Sequence, residues 1–64
     1  MQSLTPLRMA RLEKGLSQWD VAKRTGISQT MISLYEREYR DPNDWHKAQL
    51  AKLYGKKVDE LWKS

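Results

Sequence analysis

Ser17-Gln18-Trp19-Asp20-Val21-Ala22-Lys23-Arg24-Thr25-Gly26-Ile27-Ser28-Gln29-Thr30-Met31-Ile32-Ser33-Leu34-Tyr35-Glu36 holds two helix starts and the turn between them. Ser17 reads as an N-cap, because its hydroxyl can accept a backbone N–H that the first helical turn leaves unpaired. Asp20 falls at the third helical position, where a carboxylate suits the positive end of the helix dipole. A helix over residues 18–25 follows, with Val21 and Ala22 on its buried face, and Gly26 ends it. Ser28 then caps a second helix running to about Arg37. Ala22 is small enough to let the two helices cross closely. Ile27 can plug the angle between them, and Ile32 and Tyr35 can anchor the second helix to a core.

The flanks carry the same punctuation. Thr5-Pro6 reads as an N-cap with proline at the first helical position, where its missing N–H costs nothing. That helix runs through Lys14 to Gly15. Asp41-Pro42-Asn43 is a turn followed by a cap, since Pro42 disfavours helix at Asp41. A fourth helix is expected over residues 44–54, ended by Gly55, and a short fifth over residues 58–62. No stretch shows strand alternation over a useful length. The expectation is one all-α domain over residues 1–64: a compact five-helix bundle with short connections, no linker and no repeat. Its expected core is Leu7, Ala10, Leu16, Val21, Ala22, Ile27, Ile32, Tyr35, Leu50, Ala51, Tyr54, Val58 and Leu61.

Bulk properties narrow the function. A chain of 64 residues buries little surface, and with no Cys neither a disulfide nor a thiolate metal site can staple it. With one His, a structural zinc site is not expected, and no cofactor is implied. A net charge of +4 favours polyanions, nucleic acid or acidic membrane surfaces among them. No apolar run approaches bilayer-spanning length. Met1-Gln2-Ser3-Leu4 lacks the basic start and apolar stretch of a secretory signal, so a cytoplasmic location is expected. The carboxylates are scattered without a paired site. His46 is a lone histidine, read as packed or solvated, and neither nucleophile logic nor a phosphate loop is present. No enzyme activity is expected.

Two capped helices joined by a glycine turn form a helix-turn-helix over residues 18–37, the motif whose second helix enters the DNA major groove. On a helical wheel Met31, Ile32 and Tyr35 face one side, while Gln29, Thr30, Ser33, Leu34 and Arg37 face the other. The small, neutral-polar outward side suits base edges. Gln29 can pair with adenine through N6 and N7. Thr30 and Ser33 can donate or accept, and Ser28 lies at the start of the same surface. Leu34 is either a thymine-methyl contact or an isolated surface leucine. Phosphate contacts supply affinity with little sequence information. Gln18, at a helix N-terminus, and Asn43, at the start of the fourth helix, are placed for them. Arg37, Tyr39 and Arg40 follow the reading helix and flank the groove. Lys23 and Arg24 are read as solvated; Arg8, Lys14, Lys52, Lys56, Lys57 and Lys63 add diffuse field.

Arg11-Leu-Glu-Lys-Gly-Leu-Ser-Gln-Trp-Asp-Val-Ala, then Thr-Gly-Ile-Ser, Ile-Ser-Leu-Tyr-Glu, Asp-Pro-Asn and Leu-Ala-Lys-Leu-Tyr-Gly resemble the Cro/phage-repressor, or xenobiotic-response-element, type of helix-turn-helix DNA-binding family. The resemblance covers about residues 4–62 and implies a lambda-repressor-like bundle. It implies that Gln18 is the family's phosphate-binding glutamine and also braces Gln29. It implies a partly buried salt bridge between Arg11 and Glu36. Two departures stand out. Glu38 occupies a position where the family often has glycine, so the third helix is expected to run longer or close differently. Asp44 and Lys47 stand where the family places apolar residues, with Trp45 on the opposite side.

The resemblance also implies a homodimer, at least on DNA, bound to a near-palindromic double-stranded operator. The expected contact is the segment over residues 54–63, through Tyr54, Val58, Leu61 and Trp62. Trp62 and Trp45 are read either as interface residues or as part of the monomer core. The expected role is a small bacterial or phage transcriptional repressor or regulator. The alternatives are an antitoxin that binds DNA and a toxin protein, and a helical protein-interaction module without DNA binding.

Overall fold

The computed structural model describes residues 4–62. Lys63, read above as part of the diffuse field, and Met1 to Ser3 lie outside the described residues. The element order is α1 (Pro6–Glu13), α2 (Gln18–Thr25), α3 (Gln29–Glu36), α4 (Asp44–Tyr54) and α5 (Val58–Leu61).

Each of the first four helices starts on a side chain that the sequence marks as a cap. Thr5 Oγ1 accepts from the Arg8 amide at 3.3 Å, and Ser28 Oγ from the Met31 amide at 3.2 Å. Asn43 Oδ1 accepts from the His46 amide at 2.8 Å. Ser17 and Asp20 form a reciprocal box. Ser17 Oγ accepts from the Asp20 amide at 3.0 Å, and Asp20 Oδ2 accepts from the Ser17 amide at 2.9 Å. In α5 only the carboxylate half appears, as the Lys57 amide donates to Glu60 Oε1 at 2.8 Å. Gly26 closes α2 with a φ of 78°, a left-handed turn that a side chain would strain.

The third helix ends at Glu36 and does not run on. Arg37 caps it, and Glu38 takes the left-handed conformation itself, with a φ of 62°. The Tyr39 amide reaches the Leu34 carbonyl at 2.9 Å and the Glu38 amide the Tyr35 carbonyl at 3.1 Å. This is the hydrogen-bond pair that glycine usually completes at a helix end. The absent glycine therefore changes the strain at this corner and leaves its path intact.

α2 packs on α3 and α4, α1 on α3 and α5, and α5 on α4. The shared core is Leu7, Ala10, Val21, Ile27, Ile32, Tyr35, Leu50, Ala51, Tyr54 and Leu61. Leu16 and Ala22 pack against it and stay partly exposed. Val58 needs a correction: at 37% exposure it lies outside the core, because its place at the start of α5 turns it to solvent. In α4, Asp44 and Trp45 face outward. Half-buried His46 takes up the inward role, its Nδ1 lying 2.7 Å from the Tyr35 hydroxyl. Lys47 lays its ammonium 5.8 Å from the centre of the Trp62 ring. No helix of the described residues is long and apolar enough to cross a membrane.

Candidate nucleic-acid interface

α3 is held from behind by charge. The Arg11 guanidinium meets the Glu36 carboxylate through two N–H groups, Nε to Oε2 at 2.7 Å and Nη2 to Oε1 at 3.2 Å. Its third contact, Nη1 to the Leu16 carbonyl at 2.8 Å, ties the same side chain to the loop before α2. Both side chains are almost wholly buried. The Thr5 hydroxyl donates to the Glu36 carbonyl at 2.8 Å, so one residue caps α1 and satisfies the end of α3. A fork of this kind fixes orientation as well as distance.

The turn is fastened separately. The buried Thr25 hydroxyl donates to the Val21 carbonyl at 2.8 Å and accepts from the Ile27 amide at 3.1 Å. That leaves Ile27 pointing into the core between the two helices. The Val21 carbonyl and the Ile27 amide are thus both satisfied at the bend, as buried backbone groups must be.

On the outer side of α3, Thr30 is exposed and Gln29, Ser33 and Leu34 are half-buried. Ser28 is exposed, and its hydroxyl serves the cap. Gln29 is engaged: its Nε2 donates to Gln18 Oε1 at 2.7 Å. Gln18 Nε2 in turn donates to Glu36 Oε1 at 3.0 Å. Arg11, Glu36, Gln18 and Gln29 therefore form one connected chain from the core to the outer face.

Arg37, Tyr39, Arg40 and Asn43 are all exposed after α3. The Arg37 guanidinium lies 5.0 Å from the centre of the Tyr39 ring, within cation–π range. Asn43 spends its oxygen on the α4 cap. Its amide N–H groups are the part left to meet an anion.

Arg8, expected to add diffuse field, is half-buried on α1. It lines a polar cleft with Arg11, Gln18, Ser33, Glu36 and Arg37. Its spacing of one helical turn before Arg11 was the available signal, since residues three apart share a helix face.

Tyr54 and Leu61 need correction as expected dimer contacts. They are 2% and 4% exposed, with their side chains consumed by the core of their own chain. Of the four expected contacts, Val58 and Trp62 retain accessible surface. Burial, with Glu36 nearby, pushes the Tyr54 phenol well above its usual range. Asp20 is shifted the other way: the Ser17 amide and hydroxyl hold its carboxyl below 3.8. Among the described residues no three His, Asp or Glu side chains come together as metal ligands.

A capped helix, a glycine turn and a second helix braced by a buried ion pair define a helix-turn-helix protein. The chain belongs to the helix-turn-helix family, which matches residues 7–61. It is similar to the HTH-type transcriptional regulator ImmR of Bacillus subtilis (strain 168), with 36% identity over 55 residues. Those residues are 86% of this chain and 43% of the relative, so the chain spans less than half of that protein's length. No solved structure gives a significant match.

Proposed function

We propose that this chain binds duplex DNA sequence-specifically, laying α3 in the major groove, and regulates transcription by occupying an operator. The observation that carries this reading is the bracing of α3. Arg11 and Glu36 hold the helix rigidly enough that Gln29, Thr30, Ser33 and Leu34 meet base edges in a fixed register. Gln18, Arg37, Tyr39, Arg40 and Asn43 supply phosphate contacts around that helix, and Arg8 joins them at the cleft edge. The likeness to a protein named a transcriptional regulator supports the same reading.

One such domain covers a short half-site. The proposed bound form is a homodimer on a near-palindromic site, its reading helices about 34 Å apart. Val58 and Trp62 provide its contact.

The test is binding to random and selected duplexes over a range of salt. With about eight phosphates neutralised by a dimer, log affinity falls against log salt with a slope of about −7. Selection from a randomised duplex pool returns two half-sites one helical turn apart. Binding that ignores salt, or no binding to any duplex, sinks the proposal in favour of a protein-interaction module.

A further inference from the structure

We propose that Glu36 is a positioning residue that sets which base Gln29 reads, by fixing through Gln18 which end of the Gln29 amide faces outward. This rests on the DNA-binding reading above and adds a determinant of its specificity.

Donors and acceptors decide which way each amide turns. A carboxylate has no donor to offer. Glu36 Oε1 faces Gln18, so Gln18 must turn its NH2 group toward it, as the 3.0 Å contact records. An amide has its oxygen at the opposite end. That oxygen faces Gln29 and can only accept, so Gln29 must turn its own NH2 group inward, at 2.7 Å. What Gln29 presents to a groove is its Oε1 and the single N–H that remains. The polarity of each amide is thus dictated by its neighbour, and the sequence of dictation begins at a buried carboxylate that touches no base.

Base choice follows. Adenine offers a donor at N6 and an acceptor at N7, which match Oε1 and the remaining N–H. Guanine offers two acceptors, O6 and N7. Reading it requires both N–H groups of Gln29, one of which Gln18 has taken, and it sets Oε1 against O6. The relay therefore favours adenine and excludes guanine at this base pair.

Reversing the relay should reverse the choice. In Gln18→Lys the ammonium still pairs with Glu36 but has only donors for Gln29, which must then turn its oxygen inward and its NH2 group out. In Glu36→Gln the Arg11 guanidinium claims the new amide oxygen and leaves an NH2 group facing Gln18. The same inversion then runs down the chain.

Sequences are first selected with the wild-type protein from a pool of randomised 20-base-pair duplexes. The base pair read by Gln29 is the one whose preference disappears in Gln29→Ala. At that pair the wild-type ratio of adenine to guanine affinity should be roughly 5- to 150-fold. In Gln18→Lys and Glu36→Gln it should fall below one, with ratios at the other positions unchanged. The added charge of Gln18→Lys strengthens binding to all sequences alike and cancels from the ratio.

A thermal melt accompanies each variant. If Glu36→Gln does not fold, Gln18→Lys decides alone, since it leaves the Arg11–Glu36 pair in place. A wild-type ratio retained in Gln18→Lys, or in folded Glu36→Gln, overturns the inference while DNA binding stands. So does a wild-type protein that binds duplex but loses no base preference in Gln29→Ala. Absence of salt-sensitive binding by the wild type overturns the proposed function, and this inference with it.

Discussion

Among the described residues, Glu38 is the only residue other than glycine with a positive φ. A side chain in that conformation costs about 1–2 kcal/mol. Glycine escapes this strain but loses more freedom on folding, by roughly 0.5–1 kcal/mol. Glu38→Gly should therefore stabilise the fold by about 0.5–1 kcal/mol, measured as a higher thermal midpoint, with the chain path through Tyr39 and Arg40 unchanged. A lower midpoint would show that the Glu38 side chain makes a compensating contact. Tyr54 offers a second case. Its hydroxyl is buried and finds no partner among the described residues, and a polar group in that position costs about 1–3 kcal/mol. Tyr54→Phe should match or exceed the wild type in denaturant midpoint, and a loss above about 1 kcal/mol would reveal a hidden partner.

At the scale of helices, α1 and α3 are joined by the buried Arg11–Glu36 pair. Glu36→Ala would leave the Arg11 guanidinium buried and uncompensated, at a cost of about 3–5 kcal/mol in urea unfolding. Arg11→Ala together with Glu36→Met should recover much of that loss while leaving α3 less firmly oriented. The start of α2 responds instead to acid. Asp20 has its folded-state pKa depressed below 3.8, so its contribution is complete above that pH and is lost as the pH falls through the lower, folded-state value. The thermal gap between wild type and Asp20→Asn should be steady near neutrality and narrow well below pH 3.8. A gap that persists unchanged in strong acid would show that the ionised carboxylate is not its source, and no gap at neutrality would assign the cap to Ser17 alone.

The helix starts were readable in the residues because a cap is a local event. Thr5, Ser17, Ser28 and Asn43 each act within three positions of themselves. The helix ends at Gly15, Gly26 and Gly55 were readable for the same reason. The corner at Glu38 was not, because backbone hydrogen bonds can impose a left-handed turn on a residue that disfavours it. The depth of Tyr54 and Leu61 was also hidden. An apolar residue near a chain end can face its own core or a partner, and periodicity does not distinguish them. The Gln18–Gln29 brace and the Arg11–Glu36 pair were implied by the resemblance, but the Gln18–Glu36 bond that joins them spans 18 positions, and only the packing of α2 on α3 creates it.

For the molecule as a whole, size sets the margin. A domain of 64 residues has a total stability of about 3–10 kcal/mol, so the cost of stranding Arg11 alone equals or exceeds the lower bound. Binding at two half-sites would add stability by mass action. The proposed contact can be tested without endangering the core. Val58 opens α5 and is partly exposed, and an acidic side chain suits a helix start. Val58→Asp should fold normally and bind a single half-site within about twofold of the wild type, but lose cooperativity on a two-half-site duplex. Retained cooperativity would move the contact away from α5.

On the proposed reading, the 2.7 Å bond that spans the turn between Gln29 and Gln18 limits how this protein can be re-engineered. Transplanting the outward residues of another reading helix onto α3 would copy the letters without the grammar. The recipient would still dictate amide orientation from beneath. A successful redesign must travel with its own residue at position 18, and screens confined to groove-facing positions will find few new specificities.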